Sequence, residues 1–210
     1  QQVIGLAMAV FLNTKFKGRG IARTVIYMPA MVSGLVMGYI MYFFFQTKGG
    51  VMNDILSSMG LATVDWLGNG NTAIAVIIFI NTWQFVGVSM VIYLAGIQGV
   101  SQSYIEAATV DGANAWQRFR FITLPLLQPA LASSIIYNLI GGLKLYDVII
   151  ALTDGGPAKK THSLATYIAN RYFDAERAGY AAAIGVFSFV MIMVISMIVN
   201  GYFRKKEVDY

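Results

Sequence analysis

Four stretches of this chain, 24–45, 72–94, 126–152 and 180–203, are long apolar runs that hold only two charged residues between them, Lys144 and Asp147. About 20 apolar residues is the length a helix needs to cross the hydrocarbon core of a bilayer. Inside that core every backbone N–H and C=O must find its partner within the chain, which leaves helices as the form such runs can take. The pattern therefore dictates an all-α integral membrane fold. Composition agrees, since 12% of the residues are charged against about 25% in soluble domains. A fifth run, 1–12, is apolar but too short to span alone. It reads as the inner end of a partial span whose start is missing, giving a bundle of five visible spans.

The net charge of +5 would suit nucleic acid if it formed a patch. Instead the cations sit in short connections between runs, as membrane topology requires, so no nucleic-acid partner is expected and the lipid bilayer is. Lys15, Lys17, Arg19, Arg23, Arg118, Arg120, Arg204, Lys205 and Lys206 fall on one side. Lys48, Lys159, Lys160, Arg171 and Arg177 fall on the other. Cations concentrate in cytoplasmic loops. Segments 13–23 and 96–125 and the C-terminus are thus expected inside, with 46–70 and 153–179 outside.

Within the runs, Pro29 is expected to kink the 24–45 span, and Gly34 and Gly38 form a G-x-x-x-G that permits close helix approach within the subunit. The outer loop 46–70 is expected to hold one short helix, 52–59, with Trp66-Leu67 at the membrane interface. Asn81, Trp83 and Gln84 lie near the middle of 72–94, and Asn138, Gly141, Gly142, Lys144 and Asp147 along 126–152. Polar groups at such depth face other helices or a wet cavity. Lys144 and Asp147, three apart, would share a helix face and could pair. Alternatively, Asp147 lies at the outer interface and Lys144 snorkels toward it.

The chain has no cysteine, hence no disulfide framework and no thiolate metal site. His162, the only histidine, reads as a solvated residue of the 153–179 loop without a partner. No catalytic residue and no metal ligand is assigned, because no nucleophile with a base falls within the spans.

The longest polar segment is 103–125. Ser103 and Glu106 have capping-box spacing, which would start a helix near Tyr104. Asp111-Gly112 would end it, since Gly takes the left-handed conformation at low cost. A second short helix could run over 114–121, before Leu124-Pro125. Two short helices with a glycine corner between membrane spans suit contact with another protein; a hairpin holding two spans together at the interface is the plainer reading.

Here the chain resembles a known family. Glu106-Ala107-Ala108, three residues, Gly112, nine residues, Ile122, one residue and Leu124-Pro125 is similar to the EAA loop in the membrane subunits of bacterial ABC importers. Residues 15–20 with Arg23, Asn81-Thr82-Trp83-Gln84 leading to Leu94-Ala95-Gly96, Leu152-Thr153-Asp154-Gly155-Gly156-Pro157 and Gly179-Tyr180-Ala181-Ala182 resemble its sugar-type, maltose-type permeases. Ser101 stands where many relatives have proline.

The resemblance implies a six-span permease of the bacterial inner membrane, with a cytoplasmic coupling-helix loop. A second permease subunit, usually a different chain, two cytoplasmic ATPase subunits and an extracellular solute-binding protein would complete it. Glu106, Ala107, Ala108, Asp111, Gly112, Leu124 and Pro125 would couple to the ATPase. The chain has no G-x-x-x-x-G-K-[ST] loop, so ATP and Mg belong to the partner subunits and no cofactor is expected on this chain. Asn138, Gly141, Gly142, Lys144 and Leu145, with Asp147 able to cancel the lysine, would line the solute path; Gln84, Phe85 and Val88 would contribute more weakly. The expected cargo is a sugar or oligosaccharide. Alternatives are a polyol, glycerol phosphate or uronic-type anionic solute, or an ion-coupled secondary transporter using Lys144 and Asp147.

Overall fold

The computed structural model describes residues 1–14 and 16–204, and its regular structure there is entirely helical. Lys15, Lys205 and Lys206, counted above for orientation, lie outside the described residues. In chain order the helices are α1 (Gln2–Asn13), α2 (Arg19–Tyr27), α3 (Gly34–Phe45), α4 (Val51–Ser58), α5 (Gly70–Gly99), α6 (Gln102–Val110), α7 (Ala115–Arg118), α8 (Leu124–Leu126), α9 (Gln128–Leu143), α10 (Asp147–Thr153), α11 (Leu164–Ala169) and α12 (Ala178–Arg204). A 3-10 turn, Met28–Met31, extends α2. π-helical turns, Phe119–Thr123 and Asn170–Asp174, join α7 to α8 and extend α11.

The runs 72–94 and 180–203 become α5 and α12, both long and apolar enough to cross a membrane. The other two full runs are broken. In 24–45 the expected kink at Pro29 is a change of helix type followed by a break at Val32-Ser33. Proline has no N–H to donate, and Ser33 restarts the chain as an N-cap, its hydroxyl accepting from Val36 N at 3.4 Å. Alone, α3 covers about 18 Å at 1.5 Å per residue.

The run 126–152 divides into three. The segment ending in α8 and the following α9 meet at a bend of 67°. Helix α9 stops at Leu143, and α10 starts at Asp147. Paired glycines at 141 and 142 weaken the end of α9. Lys144 and Asp147 therefore do not share a helix face, and no ion pair joins them among the described residues.

Two compact units emerge. One comprises 31–84 and 141–192, around Met37, Phe45, Val76, Ile77, Ile80, Val148, Ile149 and Leu152. In it α3 lies against α10. A Cβ on Gly38 would sit 2.5 Å from Ala151 Cβ and 3.3 Å from Val148 Cα. The G-x-x-x-G thus serves packing within the subunit, because only a bare backbone allows this approach.

The 46–70 loop of the same unit is ordered by Asn53, which is 2% exposed. Its Nδ2 donates to Thr47 O at 3.0 Å and Val64 O at 2.9 Å, while Oδ1 accepts from Val64 N and Trp66 Nε1, both at 3.0 Å. The expected short helix is α4, and the Trp66 ring stands edge-on to Phe45 at 5.9 Å. Asn53→Ala is expected to cost about 1–3 kcal/mol, the penalty for stranding buried polar groups, read as a lowered unfolding midpoint of the detergent-purified protein.

The 153–179 loop is structured too. Ser163 caps α11 in a capping box with Thr166, and its hydroxyl also donates to Leu145 O. His162 is not the solvated residue expected. It is half-buried, Nδ1 lies 3.1 Å from Thr166 Oγ1, and its ring meets Tyr167 edge-on. These partners lie four and five residues on, and they meet His162 because the chain turns into α11 at Ser163.

The other unit comprises described residues of 1–30, 85–140 and 193–204, around Ala9, Leu12, Met90, Tyr93 and Leu94. Beside this core, Asn138 Nδ2 donates to Ser89 Oγ and Ser134 O, each at 2.8 Å. Gln1 Nε2 donates to Asn138 Oδ1. Gln2 Oε1 accepts from Ser134 Oγ at 2.8 Å and from Tyr93 O–H. Polar groups from α5 and α9 and the start of the chain thus satisfy one another, as they must where water is absent.

Candidate functional site

The polar segment folds as a hairpin of short helices. Helix α6 starts at Gln102, with Ser101 as its N-cap residue at φ −59° and ψ 132°. Ser103 is therefore already inside the helix and cannot occupy the non-helical position a capping box needs. Its hydroxyl lies 2.8 Å from Ser101 Oγ instead. The capping box of this segment is Asn114–Gln117, where Asn114 Oδ1 accepts from Gln117 N at 2.9 Å and Gln117 Oε1 accepts from Asn114 N at 2.8 Å.

The corner is as the sequence suggests. Gly112 adopts φ +79°. Ala113 N donates to Ala108 O at 2.9 Å and Gly112 N to Thr109 O at 3.1 Å, the paired bonds that close a helix on a left-handed glycine. Arg118 Nη1 donates to Ala113 O at 2.8 Å and ties α7 to the corner. Beyond α7 the backbone widens into the π turn, where Leu124 N donates to Phe119 O. In an α-helix the ring of Pro125 would clash with the carbonyl four residues back, and the wider turn accommodates it. Leu124 and Pro125 are half-buried where this turn enters α8.

The two alanines point different ways. Ala108 is 9% exposed and faces its own chain, whereas Glu106, Ala107, Asp111 and Gly112 are exposed. Glu106 has no hydrogen bond or ion pair among the described residues. Val110 stands 89% exposed between them, with Trp116 at 67% and Phe121 at 71%. Val110 was not singled out by sequence reasoning; its signal is an apolar side chain directly before the Asp-Gly corner of a polar helix. The result is an internally capped hairpin presenting a small apolar surface with an unpaired carboxylate beside it.

The solute-path candidates divide between the units. Phe85, Val88 and Asn138 belong to the unit containing α6; Gln84, Gly141, Gly142, Lys144, Leu145 and Asp147 belong to the other. Phe85 and Val88 are half-buried on α5. Asn138 is engaged in the polar cluster above. Gln84 is fully buried, its Nε2 donating to Val32 O at 2.9 Å at the break before α3, while its Oε1 has no partner. Gly141 and Gly142 border open space. Lys144 is exposed in the break after α9, and Leu145 packs against the apolar core of its unit. Asp147 opens α10, where a carboxylate favours the positive end of the helix, and lies against Gly34.

Comparison with known proteins places these features in context. The family described as "Binding-protein-dependent transport system inner membrane component" matches residues 1–208. The trehalose/maltose transport system permease protein MalF of Thermococcus litoralis is 33% identical over 198 residues, covering 94% of this chain and 67% of that one. The multiple sugar-binding transport system permease protein MsmF of Streptococcus mutans is 34% identical over 208 residues, covering 98% and 71%. Among solved structures, a bacterial ABC transporter involved in the import of the acidic polysaccharide alginate superposes with a TM-score of 0.85 at 29% identity, covering 96% of this chain and 72% of that one. The alginate transporter in complex with an alginate pentasaccharide-bound periplasmic protein gives 0.86 at 28% identity, covering 97% and 72%.

Proposed function

The chain belongs to the family of binding-protein-dependent transport system inner membrane components, and from that premise we propose that it is the membrane subunit of an ATP-driven importer carrying a sugar or oligosaccharide into the cell. The observation that carries the coupling mechanism is the exposed hairpin around Gly112. ATP binding closes two cytoplasmic ATPase subunits; the hairpin, seated in their cleft, moves with them and drives the spans between outward- and inward-facing forms. Glu106 makes polar contact with the cleft, Ala107 allows close approach, Val110 fills an apolar depression, and Asp111-Gly112 sets the turn. Ala108 anchors α6 from behind, and Leu124 and Pro125 pass the motion into α9. ATP and Mg are bound by the partner subunits.

A solute-binding protein outside the membrane delivers the cargo, and a second permease subunit completes the path. Gln84, Phe85, Val88, Asn138, Gly141, Gly142, Lys144, Leu145 and Asp147 are the proposed path residues. The open space at Gly141 and Gly142 would admit a pyranose ring, and amides supply donors and acceptors for hydroxyls. The proposed topology puts the 96–125 loop and the C-terminus in the cytoplasm.

The experiment is ATPase activity of the complete complex in lipid nanodiscs, with binding protein loaded from a panel of neutral and acidic oligosaccharides. Stimulation by one loaded binding protein, absent from a Gly112→Val complex, is the expected result. Solute uptake driven by a proton or sodium gradient, with no associated ATPase, would overturn it.

A further inference from the structure

The last turn of α12 and the first turns of α9 enclose a cavity of about 200 Å³, lined by Gln128, Ala132 and Ser133 on one side and Asn200, Phe203 and Arg204 on the other. It is smaller than the roughly 300–1,000 Å³ of ordinary small-molecule pockets, too tight for an oligosaccharide but suited to a compact polar group. Its chemistry is complementary rather than uniform. Gln128 Oε1 is buried and accepts no hydrogen bond, so it calls for a donor. Ser133 Oγ donates to Pro129 O at 2.9 Å, which leaves its lone pairs to accept. Arg204 and the Asn200 amide make no hydrogen bond or ion pair among the described residues, and both supply donors for an anion.

The position of the cavity names the ligand class. Helix α12 is about 40 Å long at 1.5 Å per residue, against about 30 Å of hydrocarbon, so its last turn reaches headgroup depth. Tyr202 and Phe203 stand edge to face there, 5.4 Å apart, where aromatic belts lie. Along its most apolar stretch only 6% of α12 is buried, which leaves a bare track for acyl chains leading to Arg204. Basic pockets between spans at this depth hold anionic lipid headgroups.

We infer that this cavity binds an anionic glycerophospholipid whose headgroup carries a free hydroxyl, as phosphatidylglycerol does. The phosphate meets Arg204 and Asn200, and the hydroxyl donates to Gln128 Oε1. The inference rests on α12 spanning the membrane, not on the identity of the cargo.

The test is native mass spectrometry of the complete transporter, delipidated and titrated with phosphatidylglycerol, phosphatidylcholine or inorganic phosphate. Wild type is expected to bind phosphatidylglycerol in preference to phosphatidylcholine. An Arg204→Gln/Gln128→Leu variant should bind it about tenfold more weakly, the scale of losing a charge-assisted hydrogen bond, while Arg204→Lys keeps most of the affinity. If the double variant does not assemble, Asn200→Ala alone should show a smaller loss in the same direction. Equal binding by wild type and variants would overturn the inference. So would displacement of the lipid by millimolar inorganic phosphate, which would make this a free-anion site. Because the readout is lipid occupancy, loss of sugar transport for any other reason leaves the result interpretable.

Discussion

An Ala107→Arg variant is expected to lose solute-stimulated ATPase activity and uptake by more than about a hundredfold, while the permease still inserts and folds. Ala107 is exposed on the outer side of α6, beside Glu106 and Val110, so nothing in its own chain resists a larger side chain. The cost falls at the ATPase cleft, where an unpaired guanidinium would be buried. Such a charge costs about 3–5 kcal/mol, and each 1.4 kcal/mol is a tenfold change in affinity. Ala108→Arg is the instructive contrast. Ala108 faces inward at 9% exposure, and arginine there should lower the thermal stability of the isolated permease. Measuring ATPase stimulation and unfolding midpoint on both variants separates docking from folding. Full stimulation in Ala107→Arg would refute docking through this face.

Gly38→Leu is expected to destabilise the unit built on α3 and α10 by about 3 kcal/mol, at the top of the range for overpacking a filled interior. Even a methyl group would meet Ala151 Cβ at 2.5 Å, and anything longer meets the α10 backbone at Val148. The milder Gly38→Ala should be repaired largely by Ala151→Gly, which moves the methyl from one helix to the other, whereas Gly38→Leu should not. Unfolding midpoints of the single and double variants in detergent check both statements. Lack of rescue would mean that the α3–α10 contact is not what limits stability.

The hairpin was legible in the sequence because its determinants are local. Asp111-Gly112 closes one helix and Asn114 opens the next, whatever surrounds them. Its start differs because Ser101 and Ser103 both suit an N-cap, and only the backbone shows that Ser101 is the one that stays extended. The long helices α5 and α12 follow from uninterrupted apolar runs. The break at 144–146 does not, because hydropathy averages over a window and registers no change of direction, and Pro29 signals a kink in 24–45 without placing the break at Val32-Ser33. A tertiary partner contributes at one of them and local sequence at the other. Gln84 meets the carbonyl freed at Val32, and paired glycines weaken the end of α9. The Lys144–Asp147 pairing failed for the same reason, since it assumed one continuous helix. The two faces of the alanine pair became visible only once α6 had a chain behind it.

The π turn at Phe119–Thr123 has a consequence for how this loop can vary. Each residue of an α-helix advances the azimuth by about 100°, so the direction in which the hairpin points is set by a residue count between α9 and α6. The widened turn contributes one residue to that count. Deleting a residue there would remove the width that seats Pro125 and swing Glu106, Ala107 and Val110 to another bearing, although every side chain of the docking face would remain. Length in this segment is therefore under tighter constraint than composition.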